Sequence, residues 1–254
     1  MNRPGSDECT IPRTIWSLWL QGWDDAPDVV KACRRTWEAL NPTWSFRPLT
    51  RASLSAVRDK RTMRLIDEAP TLPPEALSDV VRIALLERHG GVWADSTTYC
   101  LKPLDTWLPS ATAATGFFSF AKPAPDRMIS SWFLAAAPGN ALVKRWAERT
   151  RAYWTGRSAR DQYFWFHHLF AAGYEDDAEW RAVWDATPEM SANGPDRYQP
   201  HQEKLAAPVT HADRQLVDEP DTPLLKLTYK VLPGAGPEHS VIRYLCDRAL
   251  RVHA

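Results

Sequence analysis

The chain is poor in the features that mark several common protein classes. Only four of its 254 residues are cysteines, Cys9, Cys33, Cys100 and Cys246, and no two of them form a CxxC pair. Neither a zinc ribbon nor a dithiol redox motif is therefore encoded, and thiols so widely spaced suit a reducing compartment. Charge of one sign is not in excess, because 31 Lys and Arg stand against 31 Asp and Glu. That balance removes the bulk electrostatic case for a nucleic-acid partner or an anionic membrane, so any basic site must be local. Long hydrophobic runs are missing too. The longest, residues 132–137, is far short of the ~20 residues a bilayer span requires, and residues 1–10 contain no apolar signal core. The expectation is a soluble, cytoplasmic protein without an integral membrane segment.

Apolar side chains are plentiful by contrast. Hydrophobic residues make up 44% of the chain and charged ones 24%, enough for a real core, and 13 residues are tryptophan. Indoles fill cores and also stack on flat or weakly polar ligands. Residues 1–10 read as a loose leader and 11–254 as one domain, in which the loop-rich stretch of about 188–235 forms a lid or acceptor region. No internal repeat or low-complexity block interrupts it.

Residues 11–20 are rich in β-branched and aromatic side chains and predict a buried strand. Residues 27–40 predict a helix, with Val29, Val30, Cys33, Trp37 and Leu40 recurring every three or four positions. A short strand at 44–46 follows, and strand, helix, strand is the opening of an α/β fold with a parallel sheet. Pro73 and Pro74 start the clearest helix, and Gly90-Gly91 ends it after His89. Its apolar stripe is Leu77, Val80, Val81, Ala84 and Leu85, so at 100° per residue Asp79 and Arg82 are expected on the face turned away from the sheet. Strands are predicted at 92–94, 98–101, 112–118 and 129–135, and a helix at 141–153. Ser158 and Asp161 suggest a capping box opening an aromatic helix that closes near Gly173. Residues 188–223 read as loop with short strands, before a last helix at 239–251.

Chemistry concentrates where the strand at 92–94 runs out. In open α/β sheets ligands bind beyond the carboxyl ends of strands, and Asp95 falls there with the hydroxyls of Ser96 and Thr97 beside it. Oxygen groups of this kind suit Mg²⁺ or Mn²⁺ bridging a carboxylate and a substrate diphosphate. Plainer uses exist for each residue. Asp79 and Arg82 make an i,i+3 surface pair, Asp95 a turn residue, Trp19 a core side chain, and Lys226 and Lys230 solvated charges. The aromatic helix holding Tyr163, Trp165, His167 and His168 is most economically core, with Trp165 or His167 in an acceptor pocket as the other reading.

Several motifs occur in a fixed order over about residues 11–230. They are Trp19-Leu20-Gln21-Gly22, Ser78-Asp79 with Arg82, Gly90-Gly91-Val92-Trp93-Ala94-Asp95, Lys102-Pro103-Leu104-Asp105, Ser131-Trp132-Phe133, Tyr163-Phe164-Trp165-Phe166-His167 and Leu225-Lys226-Leu227-Thr228-Tyr229-Lys230. The ordered set resembles the capsular polysaccharide synthesis protein family, related to the DXD-containing sugar transferases that include yeast mannosyltransferases and the glucosylating clostridial toxins. The resemblance implies a Rossmann-like, A-type glycosyltransferase fold with a C-terminal lid segment, taking a UDP- or GDP-linked sugar to a carbohydrate or natural-product hydroxyl with retention of configuration. In that picture Trp19 and Gln21 contact the base and ribose, Asp79 and Arg82 the ribose and the sugar or phosphate, and Lys226 and Lys230 the diphosphate. Asp95, Ser96 and Thr97 complete the donor site, with Asp95 both catalytic and the metal ligand, while Trp165 and His167 face the acceptor. Thr97 stands where the second Asp of a DXD motif would be, which takes one metal ligand away. A non-catalytic nucleotide-sugar binding protein and a natural-product tailoring transferase are the alternatives. An Asp95→Ala chain is expected to fold and not turn over.

Overall fold

The computed structural model describes residues 10–57, 59–68, 72–198, 202–230 and 239–251. Strand β1 (Thr14–Leu18) leads through helix α1 (Asp28–Leu40) to β2 (Ser45–Leu49), which lies parallel to β1 with Thr14 opposite Ser45 and Leu18 opposite Leu49. A 3₁₀ segment (Arg51–Val57) and α2 (Lys60–Glu68) precede α3 (Pro74–His89). Strand β3 (Gly91–Ala94) then pairs parallel with the other edge of β1, Ile15 to Val92 and Trp16 to Trp93. After β4 (Thr98–Cys100) and α4 (Leu108–Thr112), the hairpin β5 (Phe117–Ala124) and β6 (Arg127–Ala136) returns so that β6 lies antiparallel to β3. The strand order is β2-β1-β3-β6-β5, so the sheet is parallel through three strands and antiparallel through two.

Helices α5 (Ala141–Trp154), α6 (Trp165–Asp176), α7 (Ala178–Ala186), α8 (Gln202–Ala206) and α9 (His211–Asp218) follow. Strand β7 (Leu224–Lys226) then pairs antiparallel with β4 in a separate two-stranded sheet, and α10 (Val241–Arg251) packs on α1.

Side chains alternating along the strands feed two cores, one on each face of the main sheet. Trp93, Leu134 and Ala136 pack with α3, α5 and α6, whereas Val92, Ala94, Phe133 and Ala135 pack with Trp37 of α1 and with Leu104 and Leu108. A third cluster wraps the β4–β7 sheet with α1, α9 and α10, through Tyr99, Leu225, Leu227 and Leu245. Pro74 opens α3 at a position where no amide is missed, and Gly90 ends it at φ +63°. Gly91 is more tightly constrained. Its φ is +95°, and a Cβ there would stand 2.6 Å from the Thr14 carbonyl oxygen, so only glycine lets β3 start against β1.

Several expectations change. The strand expected at 112–118 is the end of α4, a turn at Gly116 and the start of β5. Ser158 and Asp161 do not open a helix, since Asp161 accepts a hydrogen bond from the Tyr153 hydroxyl and α6 starts at Trp165 with no side-chain cap. Between 188 and 223 the chain forms α8 and α9, the latter opened by a capping box of Thr210 and Asp213. Arg82 does not project away from the sheet: it is 3% exposed because its guanidinium turns toward the end of β3, pairing with Asp79 and Asp95 and lying over the rings of Trp93 and Phe166. The leader falls outside the described residues apart from Thr10, and so does 231–235 of the expected lid. Among the described residues no helix is long and apolar enough to cross a membrane.

Candidate active site

The β3 strand ends at Ala94, and its last carboxylate-bearing neighbour turns into the gap between the main sheet and the β4–β7 sheet. The Asp95 amide donates to the Trp132 carbonyl, and its own carbonyl accepts from the Thr98 amide, which closes a tight turn over Ser96 and Thr97. Antiparallel register sets Thr98 opposite Lys226, and the Leu227 amide donates to the Thr97 carbonyl. Two segments separated by 131 residues are thereby locked side by side.

Three cationic or polar donors converge on Asp95. Arg82 Nη2 donates to Oδ1 at 2.8 Å, Trp93 Nε1 to the same oxygen at 2.9 Å, and Lys226 Nζ to Oδ2 at 3.1 Å. Lys226 Nζ also donates to Thr97 Oγ1 at 2.6 Å, and Arg82 Nη1 to Asp79 Oδ1. The Arg82 guanidinium lies 5.1 Å from the centre of the Trp93 ring and 5.7 Å from that of Phe166. A guanidinium can be buried this deeply because two carboxylates and two ring faces replace its water. Side-chain exposure is 3% for Arg82, 12% for Lys226, 14% for Asp79 and 25% for Asp95, so this quartet is inside the protein yet still open to a ligand at the Asp95 carboxylate.

Electrostatics separates the two acids. Burial alone would raise the Asp95 carboxyl, but Lys226, Arg82 and the Trp93 indole outweigh it and hold Asp95 below the usual carboxylate range. Burial dominates at Asp79, and with Asp95 sharing the same guanidinium it pushes this carboxyl up to about 7. One member of the pair is thus a fixed anion and the other a group that titrates near neutrality.

Two cavities of about 340 and 320 Å³ meet at this quartet, and Glu75, Ser78, Asp95, Tyr163 and Lys226 line both. The first also has Asp79, Arg82, Ser131, His167 and Asp196 on its wall. The second runs past Trp19, Gln21, Ser96, Thr97 and Lys230. A larger cavity of about 740 Å³ between α2 and the end of α5 holds Arg61 and Arg157 and no residue of the quartet. Convergent charged groups, and not volume, single out the paired cavities.

The structure therefore brings Trp19, Gln21, Asp79, Arg82, Asp95, Ser96, Thr97, Lys226, Lys230 and His167 to one continuous surface. Trp19 leans edge-on against Tyr229, ring centres 5.1 Å apart, at the rim of the second cavity. Trp165 is not brought there. It is 1% exposed and stacks on Tyr153 at 4.8 Å within the core between α5 and α6, because the first turn of α6 aims it inward. His167 reaches the first cavity with its imidazole uncharged, since burial and the neighbouring Arg82 push it down to about 3. Asp196 was invisible in the sequence. It lies in a polar stretch with no periodic signal, and only the fold sets it in the cavity wall, where burial pushes its carboxyl up to about 6.

A divalent cation would have to find its ligands on Asp95 and Thr97. Both Asp95 oxygens already accept from cations, Thr97 offers a hydroxyl in place of a carboxylate, and Lys226 Nζ stands between the two. The two acids, Asp79 and Asp95, already have a base each, Arg82 and Lys226. This donor set does not fit Mg²⁺ or Mn²⁺, which take several oxygen ligands and no ammonium neighbour.

Comparison with known proteins gives relatives of one kind. The chain is 26% identical over 169 residues to an O-glycosyltransferase of Annulohypoxylon truncatum, a match covering 58% of this chain and 39% of that protein. It is 25% identical over 150 residues to the initiation-specific alpha-1,6-mannosyltransferase of Saccharomyces cerevisiae, covering 54% and 31%. The matches thus cover less than half the length of these relatives. Among solved structures, the PaToxG glycosyltransferase superposes with a TM-score of 0.51 at 12% identity, over 83% of this chain and 84% of that one, which shows a shared A-type glycosyltransferase fold. The match that spans residues 2–245 settles the lineage: this chain belongs to the capsular polysaccharide synthesis protein family.

Proposed function

We propose that the protein is a glycosyltransferase that moves one hexosyl unit from a UDP- or GDP-linked sugar to a hydroxyl of a carbohydrate or natural-product acceptor. The observation that carries this reading is the buried quartet of Asp79, Arg82, Asp95 and Lys226 at the junction of two cavities. Two fixed cations beside a carboxylate can receive a diphosphate with little reorganisation, and cations aimed at a departing phosphate stabilise the charge that develops on it. The cavity with Trp19, Gln21, Ser96 and Lys230 takes the nucleotide in this reading, and the one with His167 and Asp196 takes the acceptor. Within a single domain, the loop-rich region gives Asp196 to the acceptor cavity and residues 227–230 to the nucleotide cavity. Among the described cysteines Cys33, Cys100 and Cys246 are free thiols, the first two buried, which supports work in a reducing cytoplasm.

Asp79 and Asp95 are both committed to cations, which disfavours either as a covalent nucleophile. The acceptor hydroxyl then attacks on the face the diphosphate leaves, and its proton passes to the leaving phosphate oxygen, so configuration is retained. NMR of the product tests this, and an inverted anomer would refute it. The wider reading is tested by a thermal-shift panel of UDP- and GDP-sugars, in which a donor at about 100 times its Kd adds about 2.7 kcal/mol, followed by an assay of nucleotide release. Thr97, in place of a second acid, favours one other reading, a nucleotide-sugar binding protein without turnover. Tight binding with no release would select it.

A further inference from the structure

We infer that the Lys226 ammonium does the work of the divalent cation, so that this transferase holds and discharges its diphosphate without a metal. The inference rests on the donor reading above and sharpens it.

Three observations lead there. Lys226 Nζ lies 3.1 Å from Asp95 Oδ2 and 2.6 Å from Thr97 Oγ1, and therefore bridges the two side chains between which a metal would have to sit. Its place is built into the backbone, because the β4–β7 register sets Thr98 against Lys226 and the Leu227 amide bonds to the Thr97 carbonyl. No metal is needed to offset the acids, since Arg82 and Lys226 match Asp79 and Asp95 in number whether or not Asp79 holds a proton. A further doubly charged ion would enter against two cations held in a largely desolvated space, where like charges repel strongly.

Donor binding then works by exchange of partners. The diphosphate enters beside Lys226 and Arg82 as their new counter-anion, and Asp95 keeps the lysine aimed. In the transfer step the bond between the sugar anomeric carbon and the β-phosphate oxygen breaks, and its electron pair stays on that oxygen. The acceptor hydroxyl oxygen forms the new bond to the anomeric carbon and gives its proton to the released diphosphate. Throughout, the ammonium faces the oxygen on which negative charge accumulates. A point charge on a flexible stem suits this, since it can follow the oxygen as the bond lengthens.

Calorimetric titration of the full chain with UMP, UDP, GMP and GDP, in EDTA and in Mn²⁺, tests the inference apart from turnover. The expected result is that UDP or GDP binds with a Kd that differs less than about twofold between the two buffers. In Lys226→Met the advantage of the diphosphate over the monophosphate should fall at least tenfold, and Lys226→Arg should restore part of it. A merely structural lysine would weaken both nucleotides alike, and that outcome would overturn the inference. So would binding that needs Mn²⁺, while leaving the donor reading intact. Failure of every nucleotide to bind in either buffer would overturn both. Should Lys226→Met fail to fold, the EDTA and Mn²⁺ comparison on the unaltered chain decides alone.

Discussion

Replacing Asp95 by asparagine keeps the shape of the side chain and removes its charge. Trp93 Nε1 can still donate to the amide oxygen, but Arg82 and Lys226 each lose an anion at 2.8 and 3.1 Å. Removing one partner of a buried ion pair costs about 3–5 kcal/mol, because the other charge is left without compensation. Asp95 is a quarter exposed, so water enters to soften the loss and the lower end, about 3 kcal/mol, is the better figure. For a chain of this size 1 kcal/mol moves the melting temperature by about 2–4 °C, which predicts a fall of about 6–12 °C. The variant still folds, but it is not neutral. Calorimetry on Asp95→Asn, Lys226→Met and the double variant measures the coupling. With the carboxylate already gone, deleting the lysine removes a stranded cation, so the double variant should be at least about 1 kcal/mol more stable than the sum of the singles. An Asp95→Asn chain that melts within about 1 °C of the parent, or two changes that add within about 0.5 kcal/mol, would refute the reasoning.

Asp196 makes a pH prediction. Burial raises its folded carboxyl to about 6, above the unfolded value, so its contribution favours folding at low pH and is lost as pH rises through about 6. Asp196→Asn should therefore gain on the parent in urea midpoint between about pH 4 and pH 7, and a constant difference across that range would count against it. Gly91→Ala should lose at least about 2 kcal/mol from positive-φ strain and the contact with the Thr14 carbonyl, read by urea denaturation. Trp165→Phe should cost about 2 kcal/mol while leaving kcat/KM for nucleotide release within about threefold, because the ring lies in the core and lines neither cavity. A large kinetic defect with unchanged stability would return Trp165 to the acceptor site.

The strand and helix that carry Asp79, Arg82 and Asp95 were legible because their punctuation is local: Pro73-Pro74 at one end and Gly90-Gly91 at the other. The burial of Arg82 was not, because helical periodicity identifies the apolar stripe and says nothing of a long charged side chain that reaches past it to Asp95 and the rings of Trp93 and Phe166. Ser158 and Asp161 had the spacing of a cap, but Asp161 serves a tyrosine instead, whereas Thr210 and Asp213 had the same spacing and do cap. A spacing rule cannot separate the two, since what decides is whether an amphipathic run follows and finds something to pack on. Lys226 was suspected from its motif, but its seat on Asp95 depends on cross-chain register, and Asp196 had no local signal at all.

The ladder joining β4 to β7 has only three residue pairs, and with the Leu227 amide bond to the Thr97 carbonyl it sets Lys226 opposite the turn that follows β3. Side chains of the ladder are buried, Tyr99 at 2% exposure and Leu224 and Leu225 at 0%, but closing a contact across so long a stretch of chain is slow. During synthesis all five strands of the main sheet emerge before β7, so this clasp cannot close until the stretch of chain that holds that sheet is complete. In the donor reading a bound diphosphate touches both halves of the clasp, acting as a rivet between segments far apart in the chain.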